Sequence, residues 1–380
     1  MTNPMLLHAG FDGLDMAYNT QIGPDLHTAL SAAKAVANDE RRAQPVSFGG
    51  HDFLVEGHGG KGGYTFAVNT GEFGALWWFK EPCARGDPWG VKVSCRALSL
   101  AVHGLDAVKA SADQFLTDLG VAFTEVDRRI SRIDYAIDLL VPGFEIRPEN
   151  FVCHARRSKA LDGTFSATQR GTAYQGIRIG KLPNTQVCIY DKRREVLDKR
   201  KAFWWDIWAK QADKHGVALT KHSDIWRFEF RSGGDGISRM LKRRTWECFS
   251  QNPTLLFQKI AAQARLVDPT EDSNRTRWPN TPEWDACQAV IDKISVDQAA
   301  DVDAQKIADQ LRVEYLRTLE KQTVGLIVSQ VCAYGLGVAD MPAMFEQVRL
   351  DVDEALALKG EEADGALARR AAEIDTRFSR

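Results

Sequence analysis

Arg132-Ile133-Asp134-Tyr135-Ala136-Ile137-Asp138 decides the fold. Side chains alternate across a β-strand, so Arg132, Asp134 and Asp138 share one face while Ile133, Tyr135, Ile137 and Leu139 share the other. Trp226-Arg227-Phe228-Glu229-Phe230-Arg231 repeats the pattern, with three aromatic rings on one face and Arg227, Glu229 and Arg231 on the other. Between them, Val187-Cys188-Ile189-Tyr190-Asp191-Lys192-Arg193-Arg194 reads as a strand entering a basic helix. If these strands share a sheet, one face gathers carboxylates, arginines and a tyrosine. Carboxylates suit a hard divalent cation, arginines suit phosphate, and a tyrosine can act as a covalent nucleophile. The combination points to phosphodiester chemistry.

Working outward, residues 11–18 read as a first strand and Pro24 to Arg42 as a helix, with Leu26, Leu30, Ala33 and Val36 at helical spacing. Val46 to about Ala101 carries short alternating runs between glycines, the pattern of an antiparallel sheet with tight turns. A helix over Leu105 to Leu119 ends at Gly120. Glu149 to about Leu161 is expected to be helical. Thr172 to Ile179 and Gln186 to Tyr190 are expected to form a hairpin across Leu182-Pro183-Asn184, and one long helix to cover about 192–214. From about 253 onward strands are expected to be absent. These readings divide the chain into an α+β core, 1–250, with an antiparallel sheet and flanking helices, and a helical C-terminal region, 251–380, joined by a polar linker near 267–282.

The chain has 380 residues, with 44% hydrophobic and 26% charged side chains and a formal net charge of −2. That balance excludes a uniformly basic nucleic-acid binder, but the charge is unevenly placed. Eight Lys/Arg oppose three Asp/Glu from Arg178 to Lys201, and six oppose two from Arg227 to Arg244. Local basic surfaces of this kind attract DNA or RNA. The seven cysteines lack any zinc-binding spacing. No secretory leader or spanning run of about 18 apolar residues is evident, so a cytoplasmic location without membrane partners is expected. Gly57-His-Gly-Gly-Lys-Gly-Gly63 lacks the Walker A pattern and reads as a hairpin loop.

The three strands resemble the replication initiation factor family, which serves rolling-circle plasmids and filamentous phages and includes related conjugative relaxases. The resemblance rests on Arg132-Ile-Asp134-Tyr-Ala-Ile-Asp138, on Ile177-Arg-Ile-Gly180 followed by Ile189-Tyr190-Asp-Lys192, and on Trp226-Arg227-Phe-Glu229-Phe-Arg231. It covers about residues 10–250, with a weaker match at Arg277-Trp278-Pro279. It implies a HUH-like nicking-endonuclease core, although no His-hydrophobic-His triplet occurs in this chain. It also implies site-specific nicking of one DNA strand at an origin, a divalent metal (Mg²⁺ or Mn²⁺), and a protein left joined to the 5′ end through tyrosine.

On that resemblance Tyr190 is the expected nucleophile, assisted by Lys192, with Tyr174, Tyr135 and Tyr64 as competing tyrosines. Asp134, Asp138 and Glu229 are the expected metal ligands, with Asp15 in reserve; ion pairing to Arg132, Arg227 and Arg231 is the alternative. Arg132, Arg178, Arg227 and Arg231 are expected to face phosphate. Arg193, Arg194, Lys242, Arg243 and Arg244 are expected to face the DNA backbone. A conjugative relaxase and a non-catalytic DNA-binding regulator are the competing functions. A host helicase and a second copy of the chain are further expected partners.

Overall fold

In a computed structural model the chain is described over residues 3–82, 86–153, 165–170 and 173–379. The two long alternating segments become β7 (Arg128–Leu140) and β12 (Ile225–Gly233), hydrogen-bonded antiparallel with Asp138 opposite Arg227, Ala136 opposite Glu229 and Asp134 opposite Arg231. This register puts Tyr135, Ile137, Phe228 and Phe230 on one face, where all are buried. Slipping β12 by one residue would drive Arg227 and Glu229 into that core. It would forfeit about 1.5–3 kcal/mol of burial for each displaced aromatic, so the pairing is tightly specified.

The sheet extends both ways from this pair. β11 (Thr185–Asp191) lies beside β12, followed by β10 (Ala173–Gly180) and β9 (Phe165–Arg170). On the other side, β1 (Met5–Tyr18) lies beside β7, followed by β6 (Val91–Cys95), β5 (Ala75–Lys80), β4 (Tyr64–Asn69), β3 (His51–Val55) and β2 (Gln44–Phe48). Every neighbouring pair is antiparallel. The expected hairpin forms between β10 and β11; residues 171 and 172 lie outside the described residues.

The apolar face is covered by α1 (Pro24–Glu40), α3 (Leu105–Asp118), which follows α2 (Ala97–His103), and by helices from beyond β12. The latter are α6 (Gly234–Leu241), α7 (Trp246–Ser250), α8 (Pro253–Ala261) and α9 (Pro282–Ile291). The expected division near 250 therefore cuts through one core. Phe257 of α8 meets Tyr135 with ring centroids 5.4 Å apart, and Trp284 of α9 meets Phe230 at 5.7 Å. The polar segment between these helices is tied down by main-chain bonds from Thr281 to Leu266 and from Asp268 to Pro279.

Three further expectations change. Residues 151–153 are not helical: Phe151–Cys153 (β8) pairs with Ala264–Leu266 (β13), a strand in the region expected to have none. The rest of the helix expected to reach Leu161 lies outside the described residues. The helix over 192–214 is two helices, α4 (Lys192–Asp198) and α5 (Phe203–Lys214). The break is a left-handed cap: Arg200 has φ 53°, its N–H bonds Leu197 O, and Lys201 N–H bonds Val196 O. That reversed pair of bonds is how helices end when the next residue takes the left-handed conformation.

The C-terminal region is helical over α10 (Ala304–Ala333), α11 (Met341–Lys359) and α12 (Glu361–Phe378). Asp303 caps α10 through Gln305 N, while Lys306 and Gln310 bond Asp206 of α5 at 2.5 and 2.6 Å. α12 returns to the sheet, where Glu72 N donates to Arg377 O at 2.8 Å and Arg42 pairs with Glu373 at 3.2 Å. No described helix is long and apolar enough to cross a membrane.

Candidate functional site

The polar face of β1, β7, β12, β11 and β10 carries the charged residues of the alternating segments. β1 reaches this face through a bulge. Its core residues are Ala9 and Phe11, then Leu14, Met16 and Tyr18, so the inward parity changes from odd to even. Phe11 pairs with Tyr135 and Gly13 with the adjacent Asp134, leaving Asp12 as the extra residue. Asp12 thereby joins the polar face.

At the centre is Arg227, with no exposed side-chain surface. Its Nε and Nη2 bond the two oxygens of Asp138 at 2.6 and 2.8 Å, and Nη1 bonds Asp12 at 2.6 Å. Trp208 Nε1 donates to Asp138 at 2.9 Å, and the guanidinium lies 4.4 Å from the Trp204 ring centre. Burial alone would raise both aspartates, but Arg227 and the neighbouring cations together outweigh it: Asp138 is lowered, and Asp12, close to Lys192 and Arg231 as well, falls to about 2. Burial lowers the neighbouring His8 to about 4, leaving a neutral imidazole at neutral pH.

The other two expected ligands are likewise paired. Glu229 accepts from Arg231 Nε and Nη2 at 2.7 and 2.8 Å. Asp134 accepts from Arg132 Nε at 3.1 Å and from Nη2. Burial, reinforced by Glu229 and opposed by Arg132, lifts Asp134 to about 7. Among the described residues no group of three or more His, Cys, Asp or Glu side chains is placed to hold a metal ion. Each carboxylate of the expected set, Asp134, Asp138 and Glu229, is engaged by an arginine, the ion pairing that was the alternative to metal ligation. Arg227, expected to face phosphate, is bonded to two aspartates and has no exposed side-chain surface.

Tyr190 is the penultimate residue of β11, opposite Arg227 on one side and Gly176 on the other. A Cβ at position 176 would lie 2.9 Å from the Tyr190 Cβ, so glycine is what admits the tyrosine there. Asp191 caps α4 through Arg194 N at 2.9 Å, fixing the chain immediately after Tyr190. The Tyr190 hydroxyl donates to Glu229 at 3.4 Å. Burial, with Glu229 and Asp12, holds its pKa well above the usual value, against the pull of Arg227. Lys192 Nζ lies 5.8 Å from the Tyr190 ring and 4.8 Å from the Trp204 ring, paired to Glu195 at 2.6 Å. Burial lowers its pKa.

Tyr190 and Lys192 open into a cleft of ≈ 1060 Å³, bounded on its sheet side by β10–β12, α4 and α5, and on its other side by α10 and α12. Among the described residues nine Lys/Arg line it against four Asp/Glu. Of the expected phosphate ligands, Arg178 and Arg231 line this cleft and Arg132 does not. Arg193 and Arg194 pair with Asp191 and Asp198 and do not line it, and Lys242, Arg243 and Arg244, which follow α6, do not line it either. The competing tyrosines are placed elsewhere. Tyr135 is buried with its hydroxyl on Gln298, Tyr174 packs against the core cluster, and Tyr64 bonds Trp89 O. Two sets of cleft residues were not singled out as site residues in the sequence. Lys199, Arg200 and Lys201 were absorbed into a continuous helix, and Tyr315, Arg370, Arg377 and Phe378 lie in the distant C-terminal helices.

The arrangement can seat a polyanion over a phenol that has a carboxylate acceptor for its proton. No protein-family model and no curated protein matches the chain. Among solved structures it is similar to a rolling circle replication initiator protein from Geobacillus stearothermophilus. The TM-score is 0.42 at 11% identity, covering 78% of this chain and 99% of that chain. The fold is α+β. A likeness at that level is distant, and the functional reading rests on the cleft.

Proposed function

We propose that this chain is a rolling-circle replication initiator that nicks one DNA strand at an origin and becomes joined to its 5′ phosphate through Tyr190. The observation carrying this reading is the basic cleft with Tyr190 on its floor. Arg178 and Arg231 bind the scissile phosphate, where planar guanidinium forks suit its oxygens. The Tyr190 oxygen attacks phosphorus as its proton passes to Glu229. The P–O3′ bond breaks, and Lys192, its ammonium weakened by burial, gives a proton to the departing 3′ oxygen. The phosphotyrosine retains the energy of the broken linkage, so attack by a 3′ hydroxyl restores the strand. Mg²⁺ or Mn²⁺ is expected from the family resemblance. The described residues do not fit a three-ligand site, and no step is assigned to a metal.

A non-catalytic DNA-binding role is favoured by one observation: Glu229, the acceptor for the phenol proton, is already held by Arg231. A conjugative relaxase would use the same chemistry and differ in its cognate DNA.

The test incubates the protein with a supercoiled plasmid carrying its own origin, with Mg²⁺ or Mn²⁺, and compares wild type with Tyr190→Phe and Tyr315→Phe. The expected result is nicked circles and a protein–DNA adduct, both lost only in Tyr190→Phe. An adduct lost only in Tyr315→Phe reassigns the nucleophile. Nicking without adduct indicates hydrolysis, and binding without nicking supports the non-catalytic role.

A further inference from the structure

The two walls of the cleft differ in chemistry. The sheet side supplies cations, while among the described residues the one ring it leaves partly open is Tyr190; Phe203 and Trp204 are buried. The helical wall supplies two half-buried rings, Tyr315 of α10 and Phe378 of α12, with centroids 5.5 Å apart. Cations hold these rings. The Arg377 guanidinium lies 4.9 Å from the Tyr315 centroid and 5.9 Å from that of Phe378, and Arg370 Nη2 donates to the Tyr315 hydroxyl at 3.2 Å. The wall is also fixed in place. Glu72 N bonds Arg377 O, and Gly71, at φ 93°, lets the Thr376 carbonyl come within 2.6 Å of where a Cβ would stand.

We propose that α10 and α12 form a base-stacking wall for a single strand of nucleic acid, with Tyr315 and Phe378 as the stacking rings and Arg370 and Arg377 as cationic partners. The proposal rests on the nucleic-acid reading above and adds the residues that grip the bases. A ligand matching both walls carries regularly spaced negative charge on one edge and flat apolar faces on the other, as a single strand does. A duplex hides its base faces in the stack.

The test measures fluorescence anisotropy of the full-length protein with a single strand of about 10 nucleotides, within the usual 4–16-nucleotide footprint. A strand of equal length with central abasic sites keeps the phosphates and removes the bases. The second protein is the Tyr315→Leu/Phe378→Leu variant, which retains apolar packing without π-faces. Wild type is expected to bind the abasic strand about 5- to 150-fold more weakly for each stacked base lost. The variant is expected to bind the normal strand with a similar loss and to be indifferent to base removal, with an unchanged salt dependence. Equal affinity of wild type for both strands overturns the proposal, as does full discrimination by the variant. If the variant does not fold, the two strands on wild type decide. Wild type binding neither strand overturns the nucleic-acid reading itself, and this proposal with it.

Discussion

Arg227→Met tests the centre of the polar face. The substitution keeps much of the side-chain volume and removes three charge-assisted bonds, two to Asp138 and one to Asp12. Asp138 then keeps only Trp208 Nε1 at 2.9 Å, whereas Asp12, with 18% of its side chain exposed, can draw on water. Leaving one partner of a buried ion pair uncompensated costs about 3–5 kcal/mol. Adding Asp138→Leu removes the stranded charge, leaving mainly the unpaired indole N–H, worth about 1–3 kcal/mol. The double variant should therefore be more stable than the single one.

The pH dependence has a definite sign. In wild type Arg227 lowers Asp138 and Asp12 below their unfolded value of about 3.9, so their contribution is complete above that pH and lost below it, toward the Asp12 value of about 2. In Arg227→Met burial dominates, and the folded state takes up a proton more readily than the unfolded one. The deficit relative to wild type should shrink between pH 7 and pH 4. Urea unfolding, followed by tryptophan fluorescence and by circular dichroism with coincident transitions, reads these differences. A single-variant loss below about 1 kcal/mol, or a deficit that widens on acidification, refutes the reasoning.

Neutralising Lys199, Arg200 and Lys201 to Gln should reduce the slope of log affinity against log salt for a single strand by about 2, from about 0.7 for each phosphate contact, as read by titration at several salt concentrations. The same change at Lys242, Arg243 and Arg244, which lie outside the cleft, should leave that slope nearly unaltered. Trp208→Phe should cost about 1.5–3 kcal/mol in urea unfolding, because it removes the indole donor from a buried carboxylate while keeping a ring. Gly71→Ala should loosen α12 and expose the segment after Gly360 to limited proteolysis, because the new methyl meets the Thr376 carbonyl; an unchanged cleavage pattern would show that the contact adapts.

The charged face was legible wherever the information is local. Strict alternation in β7 and β12 gives the face of every residue from Arg132 to Asp138 and from Trp226 to Arg231. The pairs Arg132–Asp134 and Glu229–Arg231 sit two residues apart on one strand, so sequence alone poses metal ligation against ion pairing. The Arg227–Asp138 pair depends instead on cross-strand register, which alternation does not specify. Asp12 was signalled by the parity change between Phe11 and Leu14, a cue visible only when that strand is traced back to Met5. The helix break at Arg200 has no sequence mark, because arginine rather than glycine adopts the left-handed turn. Tyr315 reaches the cleft through the docking of α10 on α5, and Phe378 through the return of α12 to the sheet, both of which depend on long-range packing.

The position of β1 has a consequence for how the protein is made. Met5–Tyr18 is synthesised before both of its neighbours, yet it occupies the middle of the sheet, between Val91–Cys95 and Arg128–Leu140. At about 5–20 residues per second, the roughly 120 residues separating the end of β1 from the end of β7 take roughly 6–24 s to appear. Val91–Cys95 can cover one edge part-way through that interval, but the edge that β7 will cover stays open to its end, the condition under which strands pair with the wrong chain. Messages truncated before Leu140 should yield aggregates, and slower elongation through the first third of the chain should lower the yield of folded protein.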